Sequence, residues 1–252
     1  MRIAIITGAS SGMGREFVKQ IDAIESFDEI WVIARRKERL EEISKDSNNK
    51  IRPISLDLMK RESIDELKAL LESEKPDVAV LVNGSGFGRF GAFTDIDLES
   101  QLDMIDLNDK ALVAMTHITL PYMREGGRIY QIDSLSSFQP VPYIGVYGAT
   151  KAFVLSFSRA LNVELKKREI RVMAICPGWV RTEFFDRAVT DDTITYYNRY
   201  YDADEVVKRA LKDMKKGRDV SVCGFPIRMQ VRLTKLLPHK LVMKIWCKQQ
   251  KK

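Results

Sequence analysis

A tyrosine and a lysine stand four residues apart in the segment YGATK, at Tyr147 and Lys151. On a helix this spacing places both side chains on one face. A tyrosine hydroxyl can donate a proton to an oxygen that becomes an alkoxide, and a neighbouring ammonium lowers the pKa of the phenol toward the neutral range. The pair could therefore serve as an acid and base. The alternative is a surface aromatic beside a solvated lysine.

A glycine-rich turn lies near the start of the chain, where TGASSGMG occupies residues 7–14. It follows a short apolar stretch and precedes a segment with helical periodicity. Glycines let the backbone approach a pyrophosphate, and the N-terminus of the next helix presents N–H groups and a positive dipole end to it. Because strand and helix both flank the turn, the pattern predicts a dinucleotide site. The alternative is a turn that binds nothing.

Short apolar strands alternate with amphipathic helices along most of the chain, which is typical of a parallel sheet covered on both faces. We predict an α/β fold of one domain over residues 1–224, with a doubly wound parallel sheet of about seven strands. The predicted strands are 2–7, 29–34, 51–56, 78–83, 127–133, 170–176 and 219–224. The segment 184–201 and the tail 225–252 interrupt the alternation.

Composition excludes several classes of protein. The net charge is +6, but residues 220–252 hold eight Lys or Arg and no acid, so residues 1–219 carry 33 basic against 35 acidic side chains. A slightly acidic body disfavours a nucleic-acid partner. Three scattered cysteines and two distant histidines disfavour a disulfide framework, a metal site and a histidine-dependent hydrolase. With no apolar run of 18 residues and no signal-peptide pattern, we expect a cytoplasmic protein.

The motifs together resemble those of the short-chain dehydrogenase/reductase family, from residue 2 to about 224. The resemblance rests on TGxxxGxG at the first turn, NGSG at 83–86, a serine thirteen residues before the tyrosine of YGATK, and CPGWVRTEF at 176–184. It implies a Rossmann fold and an oxidoreductase that interconverts a carbonyl and a secondary alcohol by hydride transfer.

The resemblance implies a catalytic set of Asn108, Ser134, Tyr147 and Lys151. Tyr147 would be the general acid and base, Ser134 would hold the substrate oxygen, and Asn108 would support a water that connects Lys151 to solvent. Ser136 and Ser137 compete with Ser134, which we prefer because it ends the fifth predicted strand, at the edge that faces the ligand crevice. For Asn108 the alternative is a polar residue satisfied within a helix kink.

The resemblance also implies the residues that contact the cofactor. They are Gly8, Ser10, Ser11, Gly12, Met13, Gly14, Asp57, Leu58, Asn83, Gly84, Ser85, Tyr147, Lys151, Pro177, Gly178, Val180 and Thr182. Gly84 and Ser85 depart from the family's usual NNAG, although small residues still permit close approach of the backbone. For Asp57 an N-cap of the helix that begins near Lys60 is an alternative that is compatible with adenine contact.

NADP(H) is the predicted cofactor, because the second strand ends in Ala34 rather than an acid and is followed by Arg35 and Arg36. An acid at this place would bind the ribose 2′-hydroxyl of NAD, whereas a guanidinium can bind a 2′-phosphate through two hydrogen bonds. The alternative is that both arginines merely begin a solvated helix.

The substrate is predicted to be an apolar carbonyl or alcohol compound. The segment 184–201 coincides with the family's lid and is rich in aromatic side chains; Tyr143, Phe184 and Phe185 are candidate pocket residues, and core packing or an oligomer contact is the alternative. In the tail, lysines at 240, 244 and 248 adjoin an apolar face. This basic amphipathic pattern favours packing on the body, ahead of peripheral membrane contact through 228–248 and of docking to an acidic partner.

We therefore predict an NADP(H)-dependent oxidoreductase with no bound metal. A 3-oxoacyl-thioester (acyl carrier protein) reductase is the nearest alternative, and a regulator that senses NADP(H) without catalysis is the alternative from another class. The family resemblance also implies a homo-oligomer that pairs through helices at about 98–120 and 145–168.

Overall fold

Nine β-strands occur in the computed structural model, which describes residues 1–189 and 191–252. They are β1 Arg2–Thr7, β2 Glu29–Ala34, β3 Ile51–Ser55, β4 Asp77–Asn83, β5 Arg128–Ile132, β6 Arg171–Ile175, β7 Trp179–Arg181, β8 Tyr200–Asp202 and β9 Val220–Ser221. Seven of them form one parallel sheet in the order β3-β2-β1-β4-β5-β6-β9. The strands β7 and β8 form a separate parallel pair.

Ten α-helices accompany these strands in the described ranges. They are α1 Gly12–Ile24, α2 Lys37–Ile43, α3 Arg61–Glu74, α4 Leu98–Ile105, α5 Ala111–Thr119, α6 Gly145–Glu164, α7 Phe184–Ala188, α8 Ala203–Lys215, α9 Phe225–Leu236 and α10 His239–Gln249. A π-helical turn over Asp106–Lys110 joins α4 to α5. The seven-stranded parallel sheet flanked by helices confirms the predicted doubly wound α/β fold.

The central strand β1 shows why this sequence makes a sheet with two buried faces. Successive side chains of a strand point to opposite faces, and here Ala4 and Ile6 join one core cluster while Ile3 and Ile5 join the other. All four are fully buried. Helices α1 and α8 cover the first face, and α3, α5 and α6 cover the second. A strand that alternated apolar and polar residues would place polar side chains in one of the two apolar cores.

The two edge strands, β3 and β9, are shorter than predicted. Pro53 is accepted inside β3 because β3 is an edge strand, where the N–H that proline lacks is not needed by a further neighbour. At the other edge, the predicted strand 219–224 pairs only at Val220 and Ser221. Beyond this short pairing, Gly224 has a φ of 82° and turns the chain into α9.

The tail beyond residue 224 folds into two helices rather than one. Leu237 is extended, with φ −93° and ψ 143°, because the residue before a proline avoids the helical region. Pro238 then precedes α10. Within the described ranges, no helix is long and apolar enough to cross a bilayer.

Gly224 generates a prediction about stability. A Cβ at this position would overlap the hydroxyl of Tyr201, and the positive φ disfavours any other residue. Gly224→Ala should lower the free energy of unfolding by about 2 kcal/mol or more, measured by chemical denaturation. Gly145→Ala is the control, since a Cβ there meets no atom within 4 Å. Equal stability of the two variants would contradict the prediction.

Candidate active site

The glycine turn after β1 packs directly on the chain that follows β4. Gly8 and Gly12 have φ values of 67° and 52°, and a Cβ on Gly8 would fall 2.5 Å from the carbonyl oxygen of Gly84. Helix α1 begins inside the turn, without a side-chain cap or an acidic residue in its first turn. Its first N–H groups are therefore free to bind an anion, and the site fits the phosphates of a dinucleotide.

A cavity of about 830 Å³ extends from this turn across the carboxyl ends of the sheet strands to the tail. In a doubly wound sheet this edge is where ligands bind, at the point where the strand order reverses between β1 and β4. Most of the predicted cofactor residues line the cavity. They are Gly8, Ser10, Ser11, Gly12, Met13, Gly14, Arg35, Arg36, Asp57, Leu58, Gly84, Ser85, Tyr147, Lys151, Pro177, Gly178, Val180 and Thr182.

Arg36 is held at the glycine turn by several hydrogen bonds. Its Nη2 donates to the hydroxyls of Ser10 at 3.1 Å and Ser11 at 2.9 Å. Its Nη1 bonds the carboxylate of Glu183 at 2.8 Å, and Arg39 bonds the same carboxylate. The two guanidinium groups hold the pKa of Glu183 below its usual range. An anion therefore already occupies the position between the two arginines.

The phenol of Tyr147 and the ammonium of Lys151 lie on one buried face of α6. Tyr147 is 8% exposed and Lys151 is 5% exposed, and Lys151 Nζ lies 5.7 Å from the centre of the Tyr147 ring. Nζ donates to the carbonyl oxygen of Ile132 at 2.9 Å, which anchors the ammonium to the end of β5. The Ser134 hydroxyl stands beside the phenol. The structure thus brings Ser134, Tyr147 and Lys151 together in the cavity wall.

Asn108 lies behind this wall, inside the π-helical turn. Its Oδ1 accepts from the Phe87 amide at 3.0 Å, and its Nδ2 donates to the Phe87 carbonyl at 2.9 Å and to Thr150 Oγ1 at 3.1 Å. A Cβ on Gly86 would lie 2.8 Å from Asn108 Oδ1 and 3.7 Å from Lys151 Nζ. The side chain therefore ties α6 to the loop after β4 beside the lysine, although it does not line the cavity.

Comparison with known proteins decides the family. The sequence profile described as short chain dehydrogenase matches residues 2–193. The NADP-dependent 3-hydroxy acid dehydrogenase YdfG of Salmonella typhi is 36% identical over 186 residues, which cover 72% of this chain and 74% of the relative. The chain belongs to the short-chain dehydrogenase/reductase family. It is accordingly an oxidoreductase.

Solved structures of the short-chain dehydrogenase/reductase family share the fold. A short-chain dehydrogenase from Sphingobium yanoikuyae in complex with NADPH has a TM-score of 0.77 at 28% identity, covering 88% of this chain and 87% of that one. The bulky-bulky ketone specific alcohol dehydrogenase from Comamonas testosteroni has a TM-score of 0.72 at 26% identity, covering 88% and 86%.

The structure places two of the predicted site side chains away from the cavity, and it does not support the alternative given for a third. Asn83 points away from the cavity, since its amide donates to Thr116 and Gln131 in the core. Tyr143 also stays out of the cavity, because its left-handed backbone, with φ 67°, turns the ring toward Lys252. Asp57 does not cap α3; its carboxylate accepts from the Met59 amide within the preceding turn.

The substrate side of the cavity is built largely from residues that the sequence did not single out. Phe184 and Phe185 line it as predicted, and Tyr196 joins them, whereas Tyr197 and Tyr200 pack against Trp179 and Phe185. Thr190 of the predicted lid lies outside the described residues. The apolar lining residues missed from sequence include Phe87, Phe90, Leu107, Val141, Ile144, Trp179, Val242, Ile245 and Trp246. Their apolar type carried no functional signal, because core residues look the same.

The pKa of Tyr147 differs from the sequence-based expectation. Burial raises the pKa of Tyr147 well above 10, with Asp133 adding to the rise and Ser134 partly offsetting it. Burial also lowers the pKa of Lys151, against the attraction of Asp133 and Asp109. The expected depression of the phenol's pKa by Lys151 is therefore wrong for the protein alone, since burial dominates. A phenol that keeps its proton is a hydrogen-bond donor, as carbonyl reduction requires.

Asp133, directly after β5, is an acid whose charge acts on both Tyr147 and Lys151. Burial raises its pKa to about 7, against the Lys151 ammonium, and Cys176 Sγ donates to its Oδ2 at 3.1 Å. Because the pKa of Asp133 is higher in the folded than in the unfolded protein, protonation of this carboxyl stabilises the fold. The stabilisation is complete below about pH 4 and is lost as the pH rises through about 7.

Asp133→Asn removes this titration while keeping an acceptor for Cys176. The free energy of unfolding of the variant, relative to the wild type, should therefore increase between pH 5 and pH 8, measured by urea denaturation at both values. Asp192→Asn, at an exposed position, serves as the control and should show no such trend. A difference for Asp133→Asn that does not change with pH would refute the assignment.

Proposed function

We propose that this protein is an NADP(H)-dependent oxidoreductase that interconverts a bulky apolar ketone and its secondary alcohol. One observation carries the proposal: the buried Tyr147 phenol, the Ser134 hydroxyl and the glycine turn all line one continuous cavity. A regulator that only senses the dinucleotide needs the turn but not a proton donor aimed into the same cavity. The non-catalytic alternative is therefore less favoured.

The side chains divide the chemistry of reduction among them. When bound, the reduced nicotinamide would supply a hydride to the carbonyl carbon, and the side chains would meet the negative charge that develops on the carbonyl oxygen. Tyr147 donates its proton to that oxygen, and Ser134 donates a hydrogen bond that orients it. The Lys151 ammonium stabilises the phenolate left behind, and Asn108 supports the water-linked path by which Tyr147 is reprotonated. In oxidation the phenolate accepts the alcohol proton.

Arg36 supports a preference for NADP(H). Its guanidinium faces Ser10 and Ser11 at the turn, and its ion pair with the Glu183 carboxylate marks an oxyanion position that the 2′-phosphate would take over from that carboxylate. Arg35 also lines the cavity and Arg39 shares the carboxylate. The relatives named for NADP or NADPH agree with this cofactor.

The lining of the substrate side supports an apolar substrate. The ring centroids of Phe90 and Phe184 lie 5.9 and 5.6 Å from that of Tyr147. The Phe90 ring also lies 6.1 Å from the rings of Trp179 and Phe184. Aromatic walls of this kind bind rings and branched chains better than small polar molecules. The related enzyme from Comamonas testosteroni, named for bulky ketones, accords with this class.

A homo-oligomer is part of the proposal. Large apolar side chains on α4 and α6 are solvent-exposed in the single chain, where they could pair with a second copy. They are Leu98, Leu102, Ile105, Phe153 and Val163.

Replacement of the phenol tests the proposed catalysis. The wild-type protein should oxidise NADPH with aryl ketones such as acetophenone, and Tyr147→Phe should lose at least about a thousandfold in kcat while its Kd for NADPH changes less than twofold, because only the proton donor is removed. Turnover is followed by NADPH absorbance, with Tyr122→Phe as the control.

Two results would overturn the proposal. An active Tyr147→Phe would remove the proton-donor role. Turnover of a 3-oxoacyl thioester without turnover of any simple or aryl ketone would instead favour the thioester reductase.

Replacement of Arg36 tests the cofactor preference. Arg36→Ala should raise the KM for NADPH by at least about tenfold, because charge-assisted hydrogen bonds to the 2′-phosphate are lost. The KM for NADH should change less than twofold, and Arg61→Ala, on an exposed side chain, should leave both unchanged. If NADH is used as well as NADPH by the wild type, the preference is refuted.

A further inference from the structure

The tail helix α10 forms the outer wall of the substrate side of the cavity. Val242, Ile245, Trp246 and Gln249 all line the cavity from this helix. The family profile matches only residues 2–193. The wall is therefore supplied by a part of the chain that the family pattern does not describe.

Gln250, directly after α10, bonds the backbone of the segment 191–199. Its Oε1 accepts from the amides of Thr195 at 2.9 Å and Tyr196 at 3.0 Å, and its Nε2 donates to the Tyr196 carbonyl at 3.2 Å. The segment itself has no helix or strand, so one side-chain amide replaces the backbone partners that a neighbouring strand would provide. Gln250 is only 2% exposed. Such a buried amide is costly unless it is bonded, which ties its position to these contacts.

Trp246, one turn earlier, bonds a second loop beside the cavity. Its Nε1 donates to the Pro142 carbonyl at 3.0 Å, five residues before Tyr147. The indole also packs with the apolar cluster around Tyr147 and Ile194. Helix α10 is thus attached at one point to the loop that leads into the catalytic helix and at another to the segment that carries Tyr196.

We propose that Gln250 and Trp246 determine substrate size, because together they set the separation between the Pro142 loop and the Tyr196 segment. Gln250 is a positioning residue: it holds the backbone of Tyr196, whose side chain lines the cavity. Trp246 contributes both the second attachment and part of the lining. The inference rests on the proposed ketone reductase function, and it assigns substrate selection to the tail rather than to the lid alone.

Gln250→Ala tests the positioning role. It should lower kcat/KM for acetophenone by about tenfold, mainly through KM, because the wall segment no longer holds one position. The value for butanone, which does not span the cavity, should change less than twofold, as should the Kd for NADPH. Gln250→Met fills a similar space but makes none of the three hydrogen bonds, so its effect on acetophenone should match that of Gln250→Ala. Lys248→Ala, at an exposed position two residues earlier in α10, is the matched control.

Limited trypsin digestion gives a second measurement that needs no substrate. Arg199 is the exposed last residue of this segment, and cleavage after it should be about tenfold faster in Gln250→Ala and in Gln250→Met than in Lys248→Ala. If Gln250→Ala matches the control in both cleavage and the acetophenone-to-butanone ratio, the proposal is wrong. Equal losses for both ketones would also overturn it, since that pattern indicates general destabilisation. If no ketone is reduced by the wild type, the proposed function fails, and the cleavage rates alone decide whether Gln250 holds the segment.

Discussion

Backbone contact between glycines is the constraint on which the rest of this protein depends. A Cβ on Gly14 would collide with the backbone of Gly8, and one on Gly84 would lie 2.6 Å from the carbonyl oxygen of Thr7. These contacts bring the turn after β1 against the end of β4, at the point where the strand order reverses. Because of this close approach, the uncapped start of α1 faces the same cavity as the end of β5. Ser134 and the Ile132 carbonyl oxygen that binds Lys151 both lie there.

Burial sets the chemistry of the site more strongly than the neighbouring charges do. The phenol of Tyr147, the ammonium of Lys151 and the carboxyl of Asp133 are all buried, and each has its pKa shifted toward the neutral form. A charge on any of them is costly in this environment unless another charge or a ligand compensates it. The site of the protein alone is therefore poised as a proton donor for a carbonyl oxygen.

The substrate side follows a different rule from the cofactor side. The cofactor side uses turns attached to the central sheet, and its residues lie close to strand ends in the sequence. The substrate side gathers Phe90, Ile144, Phe184 and Trp246 from four separate segments. Hydrogen bonds between the tail and two loops hold these segments together: Trp246 bonds Pro142, and Gln250 bonds Thr195 and Tyr196.

The sequence by itself determined the sheet, the glycine turn and the Tyr147–Lys151 face, because each follows from local rules: strand alternation, backbone freedom at glycine, and helical spacing. Short-range pattern did not reveal the direction of Asn83, whose amide joins the core, or the partner of Arg36, which is 147 residues away at Glu183. It also misjudged the pKa of Tyr147, since the degree of burial depends on the packing of segments from the whole chain. Tertiary structure decided these features, and with them the position of Gln250 against the segment 191–199, because contacts between residues distant in sequence have no periodicity along the chain.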